Sequence, residues 1–284
     1  MSAKKVTASR VIVFGLLIVT GLYVVCVVGL AIGQRRLLYY PCKVSIKEEQ
    51  PSAAKRGFRP WENGKGELIG WFRPSQSGPA RRTILLLHGN GGCASIWFHY
   101  AEGFQSAEPV DFYILEYPGY GGRSGGPTQS TILRAADDAV ASLSRKCRFY
   151  IVGESLGTGP TCYLAGKYAA NVKGVFLVAP YNNLAAAAAA HLPLFPVKWM
   201  LKDRYPSDQW LKDYHGPLAV LLGGKDEVIP SELGRTLFDG YDGPKKSWFQ
   251  PEASHGDLHD GAPGIAKDVL AFWKDHESPN ASEK

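Results

Sequence analysis

A chain of 284 residues and 31.0 kDa, 45% hydrophobic and 20% charged, has the composition of a folded globular protein rather than a disordered one. Its net charge of +6 sits almost wholly in residues 1–50, where Lys4, Lys5, Arg10, Arg35, Arg36, Lys43 and Lys47 oppose only Glu48 and Glu49. The remaining chain is close to neutral, so a nucleic-acid-binding surface loses its electrostatic basis and no nucleic-acid partner is expected.

Residues 1–10 read as a short tail. Val11 to Gly33 then forms an uncharged apolar run of 23 residues, enough to span a hydrocarbon core of about 30 Å as a helix. Basic residues at both ends, with Tyr39 and Tyr40 just beyond, resemble interfacial anchors. A cleaved signal peptide is the competing reading, but its apolar region is normally about 7–15 residues. A lipoprotein signal at Cys26 is disfavoured by Val25 before it. Segment 11–33 is therefore expected to be a single-pass anchor, with its orientation undetermined because bases flank both ends.

Residues 41–65 read as a linker and first hairpin. From residue 66 onward, apolar runs alternate with helix-like stretches. Strands are expected at 67–72, 83–88, 111–117, 149–153, 174–179, 218–223 and 246–250, and helices near 95–106, 129–144, 156–170, 231–240 and 262–275. Several strands are apolar on consecutive residues, as in a parallel sheet buried on both faces. The alternation implies a doubly wound, mostly parallel α/β sheet. Residues 182–216 break the rhythm: six alanines (Ala185 to Ala190) and then HLPLFPVKWML read as a small helical cap, the alternative being an ordinary long connection. Residues 278–284 are expected to be a disordered tail, and the Asn280-Ala281-Ser282 sequon within it reads as chance.

Five cysteines (Cys26, Cys42, Cys93, Cys147 and Cys162) show no zinc-ligand spacing and do not suggest a disulfide framework. No metal or cofactor is expected. The loop GYGGRSGG lacks dinucleotide-binding spacing, and no phosphate-binding GxxxxGK[ST] pattern occurs.

Gly-x-Ser-x-Gly occurs twice, and context separates the two. A nucleophile elbow needs a buried strand before it and a helix after it. Gly153-Glu154-Ser155-Leu156-Gly157 follows FYIV and precedes a helical run, whereas Gly122-Arg123-Ser124-Gly125-Gly126 lies between turn sequences. Ser155 is therefore the candidate nucleophile and Ser124 a loop serine. A serine needs a base that is itself held by an acid. Asp226 follows strand LAVLLG, with Glu227 as alternative acid; His255 follows KSWFQ, with His259 as alternative base. Oxyanion donors are expected from the backbone of Leu156, next after the serine, and from Asn90 in the HGNGG loop, with Gly91 as alternative. Trp97, close after that loop, is a candidate for the pocket wall.

The motifs LLLHGNGG, EYPGYGGRSGG, GESLG, LLGGKDEVIP and SHGDL together resemble the alpha/beta-hydrolase superfamily over about residues 34–275. The N-terminal anchor and the following QRRLLYYP resemble membrane-anchored serine hydrolases with a small cap. The resemblance implies Ser155 as nucleophile, Asp226 as acid and His255 as base. Glu116 stands where Asp is commoner and Gly256 where Asn is commoner; neither belongs to the triad.

The expectation is a hydrolase domain over 34–277 that cleaves carboxylic esters or thioesters, with a small-molecule or lipid acyl substrate. A serine peptidase and a non-catalytic scaffold on the same fold are the alternatives. The sequence does not indicate an oligomeric state.

Overall fold

The computed structural model describes residues 2–143 and 148–277; Cys147 and the expected tail with its sequon lie outside them. Helix α1 (Ser2–Leu38) is a single helix of 37 residues, about 55 Å long at the standard rise. Its stretch Arg10–Leu38 is long and apolar enough to cross a membrane. The helix exceeds the expected segment 11–33 at both ends because neither flank contains a breaker. It stops just before Tyr40-Pro41, where proline disfavours helical backbone in the residue ahead of it.

The linker expected over 41–65 instead contains a second helix, α2 (Ile46–Lys55). Ser45 caps it, accepting a hydrogen bond from Glu48 N–H while the Glu48 carboxylate accepts one from the Ser45 backbone N–H. Only Glu49 and Ala53 of this helix are buried and Pro51 interrupts its interior, so it presents little apolar periodicity.

Eight strands form one sheet: β1 (Arg59–Glu62), β2 (Leu68–Arg73), β3 (Arg82–Leu87), β4 (Val110–Leu115), β5 (Phe149–Glu154), β6 (Val172–Val178), β7 (Leu218–Gly223) and β8 (Lys245–Gln250). Their spatial order is β1-β2-β4-β3-β5-β6-β7-β8, antiparallel from β1 to β4 and parallel thereafter. Every residue of β5 and β7 is buried, which explains their continuous apolar sequences.

Helices α3 (Phe98–Ala107), α4 (Gln129–Ser142) and α5 (Thr158–Lys167) connect the first parallel strands. Between β6 and β7 the chain forms α6 (Leu184–His191), α7 (Val197–Met200) and α8 (Ser207–Trp210), a helical insertion where a cap was expected. Helices α9 (Ser231–Asp239), α10 (His255–Gly261) and α11 (Ala266–Asp275) complete the chain.

Each sheet face carries its own core. Leu85, Leu87, Ile151 and Val220 pack on one side with α4, α5 and the cap. Ile84, Leu86, Val152 and Leu221 pack on the other with α3 and α11. This two-sided burial pins the carboxyl ends of the parallel strands, where the ligand-binding crevice of an open α/β sheet lies.

Candidate active site

The turn from β5 into α5 holds Ser155 at φ +50°, a conformation that costs a non-glycine residue about 1–2 kcal/mol. The neighbouring glycines make that turn possible. A Cβ on Gly157 would collide with the Leu87 carbonyl, and one on Gly153 with Thr161. The Thr158 hydroxyl donates to the Ser155 carbonyl at 2.7 Å, tying the elbow to the first turn of α5.

Asp226 follows β7. Its Oδ1 accepts the backbone N–H groups of Val228 (2.9 Å) and Ile229 (2.7 Å), which fixes the carboxylate. His255 opens α10, whose Ser254 cap is itself held by Asp257. The His255 Nδ1 lies 2.8 and 2.9 Å from the Asp226 oxygens, and its Nε2 lies 3.1 Å from Ser155 Oγ. A carboxylate only accepts, so in the neutral ring the proton resides on Nδ1 and Nε2 faces the serine hydroxyl as acceptor. Burial disfavours the charged imidazole, but Asp226, with Glu154 and Glu227 behind it, outweighs burial and holds its pKa above the ordinary value. The structure thus brings together the three residues picked from three strand ends. Glu227 stands beside them, accepting the His255 backbone N–H at 3.3 Å.

Ser155, Leu156 and Asn90 line one cavity of about 350 Å³, whose other walls include Leu184, Ala187 and Leu192 of the cap region and Leu37 and Leu38 of α1. Asn90 is fixed by its side chain. It donates to Leu38 O at 2.6 Å, and its Oδ1 accepts from Tyr40 N–H (3.0 Å) and the Tyr120 hydroxyl (2.7 Å).

Two expectations need correction. Trp97 is buried and does not line this cavity: its ring packs against Gly89 and Gly92, and its indole N–H donates to Glu154 at 2.8 Å. A buried indole N–H requires such a partner, and Glu154 supplies it from beneath the elbow. Cysteine usage also reads differently in space, because Cys42 and Cys93 form a disulfide with Cα atoms 5.3 Å apart. That bridge joins the segment after α1 to the Asn90 loop across 51 positions, a separation no spacing rule covers.

His259, the alternative base, faces another carboxylate. Its Nδ1 is 3.0 Å from both oxygens of Glu154, which also accepts from Trp97 and Tyr100. Burial pushes the Glu154 pKa up, yet the hydrogen bonds and charge of His259, aided by Tyr100 and Trp97, hold it below the usual carboxylate value. This second imidazole–carboxylate pair was not foreseen, since Glu154 occupies a position the Gly-x-Ser-x-Gly pattern leaves open. Among the other singled-out residues, Glu116 is fully buried, accepts the Ala94 N–H and lies 3.3 Å from His88 Nε2.

A mostly parallel sheet with a strained serine between its central strand and the following helix defines the class of α/β hydrolases. The chain belongs to the alpha/beta hydrolase family, whose pattern matches residues 84–278. It is 28% identical to the uncharacterized protein Rv2307c of Mycobacterium tuberculosis, over 90% of this chain and 91% of that one. It is likewise 28% identical to alpha/beta hydrolase domain-containing protein 17B of Homo sapiens, covering 68% of this chain and 67% of the relative. Among solved structures, the ferulic acid complex of Est1E from Butyrivibrio proteoclasticus shares the fold with a TM-score of 0.60 at 14% identity, over 77% of this chain and 96% of that one.

Proposed function

We propose that this chain is a membrane-tethered serine hydrolase that cleaves carboxylic esters or thioesters. The observation that carries this reading is the hydrogen-bonded line from Ser155 through His255 to Asp226 at the wall of an apolar cavity. His255 Nε2 removes the hydroxyl proton as Ser155 Oγ attacks the acyl carbonyl. The backbone N–H groups of Leu156 and Asn90 receive the oxyanion. Collapse of the tetrahedral species breaks the acyl–oxygen or acyl–sulfur bond, and His255 returns the proton to the departing alcohol or thiol. Water, deprotonated by the same imidazole, then hydrolyses the acyl-enzyme and restores Ser155. Asp226 keeps the ring oriented and stabilises its charged form throughout.

The apolar cavity and the adjoining helix favour acyl or lipid substrates. Helix α1 is the anchor in this reading. The Cys42–Cys93 bridge, of a kind that persists in oxidising compartments, favours a catalytic domain on that side of the membrane. Arg35, Arg36, Lys43 and Lys47 on that flank are offset by Lys4, Lys5 and Arg10 on the other, so the charge distribution does not oppose this orientation.

The test compares full-length protein with Ser155→Ala in hydrolysis of p-nitrophenyl esters from acetyl to palmitoyl, and in labelling by a fluorophosphonate. Turnover and labelling that disappear with Ser155→Ala are expected. A folded wild-type protein that neither turns over esters nor takes the label would overturn the proposal. Turnover of peptides without ester preference would replace it with a peptidase.

A further inference from the structure

Helix α1 does not leave the membrane as a free stalk. From Tyr23 to its C-terminal end it is met by the segment between α6 and α8. Near residue 34, the Gln34 side chain donates to Met200 O at 3.2 Å and accepts from Lys202 N–H at 2.7 Å. Arg35 pairs with Asp203, and the Tyr39 hydroxyl bonds both Asp203 and Tyr205 at 3.1 Å. Three turns deeper, the Tyr23 hydroxyl donates to Leu194 O at 2.9 Å and its ring stacks on Phe195. From Tyr23 to Arg35 is about 18 Å of helix, so the cap follows α1 well into its apolar stretch. Leu194 and Trp199 at the cap tip are 81% and 90% exposed, large apolar side chains with no protein cover. In a bilayer they face lipid.

Between α1 and this cap segment runs a hollow of about 100 Å³, lined by Leu30, Gln34, Val197, Met200 and Leu201. Four further side chains, Leu37, Leu38, Ala188 and Leu192, belong to its wall and to the wall of the Ser155 cavity alike. The two spaces therefore adjoin along these four residues, and together they extend from the apolar part of α1 to Ser155 Oγ. Gln34, the polar member of the wall, spends its amide on Met200 and Lys202.

We infer that this groove is an acyl-chain channel: the chain of a membrane-embedded ester enters sideways between α1 and the cap, and its carbonyl reaches Ser155. The inference rests on Ser155 being the nucleophile. The occupant is an alkyl chain because the wall offers apolar contact and almost no free hydrogen-bonding group. A chain already in lipid loses nothing by moving between walls as apolar as its surroundings, so the groove selects by shape and leaves the chain out of water throughout. The anchor helix is thereby a wall of the substrate site as well as a tether.

Two measurements on the full-length protein in phosphatidylcholine vesicles test this. First, Leu30→Trp, which fills the outer hollow from the side of α1, is compared with wild type. The ratio of palmitoyl to acetyl ester turnover should fall about tenfold, because the added indole overpacks the path of the long chain and leaves that of the acetyl group open. An unchanged ratio would overturn the channel. Second, an alkyl fluorophosphonate with a terminal photoreactive group is attached to wild-type Ser155 and irradiated. Crosslinks should map to α1 between Leu30 and Leu37 and to the facing cap residues 197–201. Crosslinks confined to other walls of the Ser155 cavity would refute it without any mutation. Failure of the probe to label Ser155 at all would instead remove the nucleophile assignment on which the channel depends.

Discussion

The side-chain amide of Asn90 donates a 2.6 Å hydrogen bond to the carbonyl of Leu38, so the last turn of the N-terminal helix is fastened to the loop beside Ser155. The same side chain accepts from Tyr40 and Tyr120. Asn90→Ala removes all three bonds while leaving the loop backbone intact. Loss of loop positioning should lower kcat by about 10- to 100-fold with a smaller change in KM, because the oxyanion donor is needed most in the transition state. Steady-state kinetics on the folded variant check this; a change in KM alone would mean that the loop only binds substrate.

Ser155 is held at φ +50°, and that strain is relieved by a residue without a Cβ. Ser155→Gly should abolish ester hydrolysis yet raise the unfolding free energy by roughly 0.5–1 kcal/mol, net of the extra entropy glycine brings to the unfolded chain. Paired thermal melts of wild type, Ser155→Gly and Ser155→Ala decide the point. Only the glycine variant escapes the left-handed cost, so it should melt highest of the three.

Activity and the stability contributed by His255 should move in opposite directions with pH. Burial opposes charge on the ring, but Asp226 outweighs it, so the folded pKa stands above the ordinary 6.5. Folding therefore favours proton uptake. That stabilisation is fully present below about pH 6.5 and is lost as pH rises through the folded value. Catalysis needs the neutral ring, so kcat/KM should climb through the same interval and then level off. Asp226→Asn should move this limb to lower pH and cut kcat by on the order of 10⁴. His259→Ala should leave the midpoint nearly unmoved and lower the melting temperature instead, since it strips the partner from buried Glu154. A midpoint that tracked His259 would reassign the base.

The Cys42–Cys93 bridge closes a loop of about 50 residues, for which chain entropy suggests up to about 4 kcal/mol of stabilisation. Urea unfolding with and without reductant, and of the paired Cys42→Ala, Cys93→Ala variant, should show a loss in that direction. Equal midpoints under both conditions would mean that the two thiols are unlinked in the folded protein.

The parts legible in sequence share a physical cause. Strands β3, β5, β6 and β7 are buried on both faces and so appear as uninterrupted apolar runs. Ser155 and Asp226 stand at the carboxyl ends of such runs, and His255 follows the mostly exposed edge strand β8, so it was chosen from its place after the next strand in the chain. Helix α2 escaped because it buries only Glu49 and Ala53; its one local signal was the Ser45–Glu48 capping pair. Trp97 was misplaced because sequence proximity to the HGNGG loop says nothing about which side of the sheet its ring occupies. The Glu154–His259 pair and the disulfide join residues 105 and 51 positions apart, so only the assembled topology reveals them.

The bonds of Gln34, Arg35 and Tyr39 to the cap turn what could have been a leash into a bracket. A domain on a flexible leash sweeps a hemisphere and meets ligands by diffusion at many heights. With α1 as the proposed anchor, a domain bolted to that helix would keep its opening at a single depth, and candidate molecules would be sorted by where in the bilayer their cleavable bond rests before any pocket selected among them. Changing membrane thickness, with no change in the protein, should therefore alter which of two otherwise equivalent esters is consumed first.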